Sequence, residues 1–267
     1  MTRVSVIMPV HNARLYLSEA IESVLNQSFK DFEFVIIDDC SSDGSWDVIQ
    51  EFALKDDRVK PFRNKENLGV VKSRNKGFRK AVGTDYFAIF DSDDVCLPDR
   101  LQKQVSFLEE NQEYGLVGGD IIIIDETGSE VGRRNYTKTH KEIKNNIIKF
   151  SPFAQPAAMI RKSVLDKVGY YNEDFERCQD YELWFRILNV AKAKNLRSVM
   201  IKYRISSTQG KAKHTNLTIK NTLKIQRKHL FTKKYFSLSG FFTHLLHYPL
   251  LIIPNTIVLW MFKKLRY

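Results

Sequence analysis

"YFAIFDSDDVCLPDR", residues 86–100, drives a run of five apolar or aromatic residues into Asp91, Asp93 and Asp94, with one serine between. Carboxylates this close repel and raise one another's pKa, so a purely structural segment gains nothing from them. A positive group is expected among them. Other stretches end the same way: "VSVIMPV" (4–10) runs into "HN", and "FEFVIIDD" (32–39) ends in two acids. Short β-branched runs of this kind suit strands buried on both faces. Between them, "ARLYLSEAIESVLNQ" puts Leu17, Ile21, Val24 and Leu25 at helical spacing. "GSWDVIQEFALKD" predicts a second helix, "VKPFRN" a third strand and "VVKSRNKGFRKAV" a third helix. "PDRLQKQVSFLEEN" follows as a helix with Pro98 near its start. Strands alternating with helices imply βαβ units and a parallel sheet, hence an α/β fold. Ligands in such sheets bind at the carboxyl ends of the strands. The loops "PVHN", "DDCSSDG" and "DSDD" are therefore expected along one edge.

Beyond residue 112 the pattern loosens. "GLVGGDIIIID" predicts one or two strands, "ETGSEVG" a turn, and residues 133–150 a basic, mostly helical loop. "FAQPAAMIRKSVLDKVG" predicts a strand and a short helix. "QDYELWFRILNVAKA" (179–193) is an amphipathic helix carrying Leu183, Trp184, Ile187 and Leu188. There is no internal repeat and no low-complexity linker.

Hydrophobic residues at 43% and charged residues at 27% exclude global disorder. Cys40, Cys96 and Cys178 lie far apart and form no CxxC pair, which argues against a disulfide framework or a thiolate zinc site. That usage fits a reducing, cytoplasmic setting. "MTRVSVIMPVHN" reads as a first strand, not a secretion leader. The net charge of +11 hides an asymmetry: no Asp or Glu follows Glu182, whereas 17 Lys and Arg do. An acidic body carries a basic tail, and such a tail suits phosphate-rich partners, either anionic membrane or nucleic acid.

A strand ending in Asp-x-Asp would place Asp91 and Asp93 on one side, because side chains alternate along an extended chain. Two oxygen donors facing solvent suit Mg²⁺ or Mn²⁺, completed by water and phosphates. Asp94 reads as a turn or cap residue. Asp39 is placed to accept from a base N–H while Asp38 holds the turn, and an Asx turn at Asp43 accounts for the serines. "NLGVVKSRNKG" supplies Lys72, Arg74 and Lys76 at a helix start, where a diphosphate would find cations and backbone N–H groups. With no GxxxxGK[ST] and no GxGxxG, neither a Walker NTPase nor a nicotinamide fingerprint is supported. His244-x-x-His247 sits among aromatics and reads as a surface against lipid or protein, not a metal site. Asp180 is open between two roles: a helix N-cap, which its spacing favours, and a general base.

"VSVIMPVHN", "ESVLNQSFKDFEFVIIDDCSSDGS", "NLGVVKSRNKG", "FDSDD" and "QDYELW", in that order, resemble the bacterial family 2 glycosyltransferases with the GT-A fold. The resemblance covers roughly residues 1–190, and its specificity comes from the order of five motifs. It implies a GT-A, Rossmann-like, mostly parallel sheet flanked by helices, which takes a nucleotide-diphosphate sugar (UDP-linked by expectation) with Mn²⁺ or Mg²⁺. The sugar would pass to an acceptor hydroxyl with inversion, in cell-surface polysaccharide or glycolipid synthesis. Residue by residue, it implies that Pro9, Val10, His11 and Asn12 line the nucleoside pocket, with His11 where Tyr or Phe is commoner. Asp39 would read the base edge, and Arg74 would lie near the nucleotide cleft. Asp91 and Asp93 match the DxD pair, Asp93 as the more direct metal ligand and Asp91 nearer the sugar or ribose. Ser92 between them is counted with the nucleotide-binding residues. Asp180 matches the Asp of the family's Glu-Asp motif, the general base, although Gln179 replaces the usual Glu.

The resulting division is a GT-A catalytic domain over 1–205, with a nucleotide-binding half (1–112) and an acceptor-side half (113–205). A basic, partly hydrophobic helical extension follows over 206–267. Residues 241–262 contain no Lys, Arg, Asp or Glu, and 22 residues suffice to cross a bilayer core of about 30 Å. Pro249, Pro254, Asn255 and two histidines weaken a span, and basic flanks at both ends favour a stretch lying in the interface of an anionic membrane. A helix pair packed on the catalytic domain, or on a second copy of the chain, is the alternative. The expected partners are thus a nucleotide-sugar donor, a glycan or lipid-linked acceptor and the inner face of the cell membrane. Two other functions compete. A sugar nucleotidyltransferase would need a Gly-rich, phosphate-gripping N-terminal loop that is missing here, and a nucleic-acid-binding protein would have to tolerate an acidic cleft that repels polynucleotides.

Overall fold

The protein is described by a computed structural model covering residues 2–81, 83–205, 215–232, 234–254 and 257–258. Each apolar run recognised in the sequence becomes a strand: β1 Val4–Val10, β2 Phe32–Asp38, β3 Val59–Arg63 and β4 Tyr86–Ile89. Helices α1 Arg14–Leu25, α2 Ser45–Lys55 and α3 Val70–Lys80 connect them, so the four strands pair in parallel in the order β3-β2-β1-β4. The alternation of side chains explains why these runs are continuously apolar. Val4, Val6, Met8 and Val10 of β1 enter one core layer, while Ile7 enters the other. Removing each such side chain from water contributes about 1.5–3 kcal/mol. Helix α3 lies unusually close on the sheet, because a Cβ at Gly77 would stand 2.5 Å from Ile7 Cγ2.

The rest of the sheet is mixed. β5 Val95–Cys96, β6 Tyr114–Ile124, β7 Glu130–Arg134, β8 Met159–Arg161 and β9 Lys192–Arg204 extend it in the order β4-β8-β6-β9-β5, with β7 paired to β6. The short β8 runs antiparallel to both β4 and β6 and joins the parallel strands to the remainder. "GLVGGDIIIID" forms the single strand β6, and residues 133–150 contain the end of β7 and only one short helix. The helices here are α4 Arg100–Glu110, α5 His140–Asn146, α6 Lys162–Val168 and α7 Gln179–Leu188. The long strand β9 has no apolar run to announce it: four of its residues are Lys or Arg before the final Arg204. β6 beside it supplies the pairing instead.

Past the sheet, α8 Thr215–Leu230 packs against α7, with His229 stacked on Phe185 at 4.2 Å between ring centres. Gln226 of α8 donates to the Ile148 carbonyl at 2.7 Å. α9 Leu238–His247 follows and ends before a 3₁₀ turn at Pro249–Leu251. Of the apolar stretch 241–262, residues 255–256 and 259–262 lie outside the described residues. No helix among the described residues is long and apolar enough to cross a membrane.

Candidate active site

The carboxyl ends of β1 and β2 are laced together. Asp39 N–H donates to the Val10 carbonyl at 2.7 Å, and His11 Nδ1 lies 2.8 Å from the Asp39 carbonyl. A carbonyl only accepts, so Nδ1 carries the proton and Nε2 accepts from Asn67 at 3.1 Å and Asn12 at 3.2 Å. Asn12, at φ 50°, completes the lacing, taking the Ser42 N–H at 2.9 Å and giving its own N–H to Ser41. Pro9 and Val10 are buried in β1, whereas the His11 and Asn12 side chains are exposed.

Asp39 is buried, yet its carboxylate is matched to donors. Oδ1 accepts from Asn64 Nδ2 at 2.7 Å and Leu68 N–H at 2.8 Å, and Oδ2 from Gly69 N–H at 2.8 Å. One acceptor position remains on Oδ2. Gly69 presents its N–H from φ 85°, ψ 159°, a region open essentially to glycine alone. Asp38 plays the other part: it pairs with Arg63 at 3.0 Å and accepts from Ser41 N–H. Asp43 closes the Asx turn on Ser45.

The acidic stretch that opened the reading does not reach its acids as a strand. β4 stops at Ile89, and Asp91–Asp94 forms a turn, with Asp94 N–H 3.4 Å from the Asp91 carbonyl. Asp91 and Asp93 therefore lie in a turn, and strand alternation does not set the direction of their carboxylates. The expected positive group is Arg74, buried on α3 and ion-paired to one oxygen of Asp91. Burial opposes the Arg74 charge, but Asp91, Tyr171 and Asp180 together hold its pKa above the usual value. Of the other cations on α3, Lys76 instead donates to Asn64 and to the Arg63 carbonyl, and Lys72 is exposed. Asp94 is buried and accepts from Arg204 N–H at 2.9 Å. The Arg204 guanidinium reaches the Asp93 and Asp125 carbonyls and pins the turn from behind. Ser92 is half-buried between the two acids.

Asp180 is not the N-cap of α7. That position belongs to Cys178, at φ 63°, and Asp180 is the second helical residue, its carboxyl near the backbone N–H groups of residues 180 and 181. Burial pushes its carboxyl above the ordinary carboxylate range. The Tyr181 N–H and Arg74 pull it back, and Asp91 pushes it up again. The mutual electrostatics of Asp180, Arg74 and Asp91 put all three in one cluster with Tyr171, whose phenol burial also raises. Gln155 ties the cluster together: its Oε1 accepts from Arg74 at 2.9 Å, and its Nε2 donates to the Tyr171 hydroxyl at 2.9 Å. Glu182, the neighbouring carboxylate, is buried and forked onto Arg186. Gln155, Tyr171 and Arg204 were not among the sequence candidates. A polar Gln before Pro156, inside the apolar run "FAQPAAMI", was the one available signal.

Among the described residues no three His, Cys, Asp or Glu side chains converge as a ready-made metal cage. The donor set still fits a hard divalent cation: carboxylates alone, in one turn, with the second oxygen of Asp91 left open by Arg74. Such an ion takes few protein ligands and completes its shell with water and phosphate oxygens.

An open, largely parallel sheet whose polar loops gather at one edge, with a neutralised acidic turn and a perturbed carboxylate beside it, is the layout of an α/β enzyme handling an anionic nucleotide. The comparisons with known proteins narrow this class. Residues 5–169 match the family model described as Glycosyl transferase family 2, and the chain belongs to that family. It is 35% identical over 266 residues to an uncharacterised glycosyltransferase of Methanocaldococcus jannaschii, covering 96% of this chain and 91% of the relative. It is 34% identical over 218 residues to the O-antigen biosynthesis glycosyltransferase WbnJ of Escherichia coli, 78% of this chain and 83% of that one. Among solved structures, a Pyrobaculum calidifontis mannosyltransferase in complex with GDP-Man and Mn²⁺ superposes with a TM-score of 0.66 at 19% identity, covering 95% of this chain and 70% of that one. The protein is a glycosyltransferase, and its α/β architecture is the GT-A arrangement that the motifs implied.

Proposed function

We propose that the protein transfers a sugar from a UDP-linked donor to an acceptor hydroxyl with inversion, in the assembly of a cell-surface polysaccharide or glycolipid at the inner face of the membrane. The observation that carries the reading is the cluster of Arg74, Asp91 and Asp180 past the strand ends, together with the donor-lined Asp39 carboxylate at the end of β2. Support for the pathway class comes from the relative in O-antigen biosynthesis, and for a nucleotide sugar bound together with a divalent metal from the mannosyltransferase in complex with GDP-Man and Mn²⁺. His11, its ring oriented by its hydrogen bonds, stacks on the base, with Asn12 beside it and the buried Pro9 and Val10 of β1 behind it. Asp39 offers one remaining acceptor position. A uracil N3–H needs one acceptor, whereas guanine's N1–H and exocyclic amine need two, which favours uracil. Asp93, with the open oxygen of Asp91 and with Ser92 beside them, would hold Mn²⁺ or Mg²⁺, which supplies neutralisation of the departing diphosphate charge. Arg74 fixes Asp91 so that its free oxygen keeps one orientation. Asp180 accepts the proton of the acceptor hydroxyl as that oxygen attacks the anomeric carbon from the face opposite the diphosphate.

Titration calorimetry of the purified chain with UDP and with GDP, each with and without Mn²⁺, tests this. Tight, Mn²⁺-dependent binding of UDP, weaker for GDP, is expected. Absence of metal-dependent binding for both nucleotides overturns the donor reading.

A further inference from the structure

Helix α9 packs Phe241 against the core and keeps a second apolar face outward. On its inner side a Cβ at Gly240 would already stand 3.0 Å from Ile148 Cγ2, and His244 Nδ1 lies 3.0 Å from Gln226 Oε1. Positions 238, 242, 245 and 246 follow the i, i+4, i+7, i+8 spacing of a single helical face. That face is exposed: Leu238 at 70%, Phe242 at 60%, Leu245 at 45% and Leu246 at 70%. Ile252, 88% exposed, extends it beyond the 3₁₀ turn. A contiguous apolar face of this kind marks a binding surface, because isolated exposed hydrophobics are ordinary and clustered ones are not.

The charge around it selects the occupant. Arg227, Lys228 and Lys234 are exposed on the adjoining α8 and its following turn, and no acid occurs in the sequence after Glu182. A second copy meeting this one through the same face would bring two acid-free basic segments together, which like-charge juxtaposition opposes. An anionic bilayer satisfies both features, taking the apolar side chains at the acyl boundary and the cations on headgroup phosphates. Ten residues of helix span only about 15 Å, half of a hydrocarbon core, so the helix lies along the surface instead of crossing it.

We propose that α9 docks the enzyme on an anionic membrane, with Leu238, Phe242, Leu245 and Leu246 facing the acyl chains and Arg227, Lys228 and Lys234 meeting the headgroups. The docking deepens the transfer reading by placing the enzyme where a lipid-linked acceptor resides, but it is measured without any sugar donor. Helix α8 also touches the loop before Asp180, since Asn221 Nδ2 donates to the Arg177 carbonyl at 2.9 Å and Cys178 Sγ lies 3.5 Å from the Thr218 carbonyl. The membrane-bound segment and the acceptor side are thereby neighbours.

Co-sedimentation of the full chain with phosphatidylcholine vesicles, with and without phosphatidylglycerol, tests the proposal. Binding to the anionic vesicles alone, weakened by high salt, is expected. The double variant Phe242→Glu with Leu246→Glu changes only exposed positions, so it keeps its circular dichroism and UDP affinity while vesicle affinity falls about tenfold or more. Failure of the wild-type chain to bind anionic vesicles, or undiminished binding by the folded double variant, overturns the proposal. So does a wild-type dimer in light scattering that the double variant splits without any vesicle binding, which would make a second copy the occupant.

Discussion

Replacing Asp180 by Asn separates chemistry from folding. In α7 the carboxylate lies near the N–H groups of the first turn, and Asn keeps an oxygen there. Removing a negative charge from a helix N-terminus costs about 0.3–1 kcal/mol. The opposing contribution comes from burial, which raises the Asp180 pKa and so makes the ionised form unfavourable in the folded protein. For an acid whose folded pKa exceeds its unfolded one, the stabilising contribution is complete below the ordinary carboxylate range and is lost as pH rises through the folded value. The wild-type chain loses that contribution as pH rises through the folded value, and the Asn variant has none to lose. The two contributions offset, so the variant should lie within about 1 kcal/mol of wild type, or roughly 2–4 °C in Tm for a chain of this size. Its relative stability should decline on acidification, when wild-type Asp180 takes up a proton. Loss of a general base lowers the rate by about 10²–10⁴-fold. The assay is UDP release coupled to acceptor glycosylation, alongside calorimetric UDP affinity, which should not change. The wild-type rate should also rise with pH through a pKa above the ordinary carboxylate range, a limb absent from the variant. Transfer at near wild-type rate by a folded Asp180→Asn protein would refute the base assignment, and Glu182, locked onto Arg186, offers no ready substitute.

Asp93→Asn should fold normally, because it lies in a turn past the strand end, and should lose about tenfold or more of Mn²⁺-dependent UDP affinity by calorimetry; unchanged metal dependence would remove Asp93 from the ligand set. Gly69→Ala forces a side chain into a glycine-only conformation, costs about 1–3 kcal/mol in urea unfolding and loosens the clamp on Asp39, so UDP binding weakens with it. Arg204→Met keeps the backbone N–H bond to Asp94 but removes the guanidinium from the Asp93 and Asp125 carbonyls and from Glu19, and a loss of about 2–4 kcal/mol in unfolding free energy is expected, with weaker metal dependence as the second readout.

The parallel strands were legible in the sequence because their side chains enter two core layers, which demands nearly continuous apolar runs such as Val4–Val10, broken by Ser5, and residues 32–37, broken by Glu33. β9 was not: half-exposed along much of its length, it carries Lys192, Lys194, Arg197 and Lys202 and borrows its order from β6. β8 is three residues long, and no periodicity can be read over three. Asp39 was legible as an acid at a strand end, but its three donors lie 25 to 30 residues away in chain order and only the fold reveals them. Asp180 looked like a cap by composition, since Cys178 is a poor capping residue; the left-handed backbone at Cys178 took that position. Arg204 and Gln155 act through carbonyl and side-chain contacts across the chain, which leave no local motif.

The three-residue strand β8 has a consequence for how the molecule comes into being. Until Met159–Arg161 has been synthesised, β4 presents an unpaired edge, and unpaired edges are where nascent chains stick to one another. The groups around the reaction centre straddle this seam: Arg74 and Asp91 belong to the stretch before it, Asp180 to the stretch after, and Gln155 borders it. The candidate cluster is thus complete only when both sides of the seam are in place, and it is disturbed whenever the seam opens. Hydrogen exchange should find the β8 amides opening well before those of β1 and β2, and activity should fade with the seam while both flanking sets of strands are still folded.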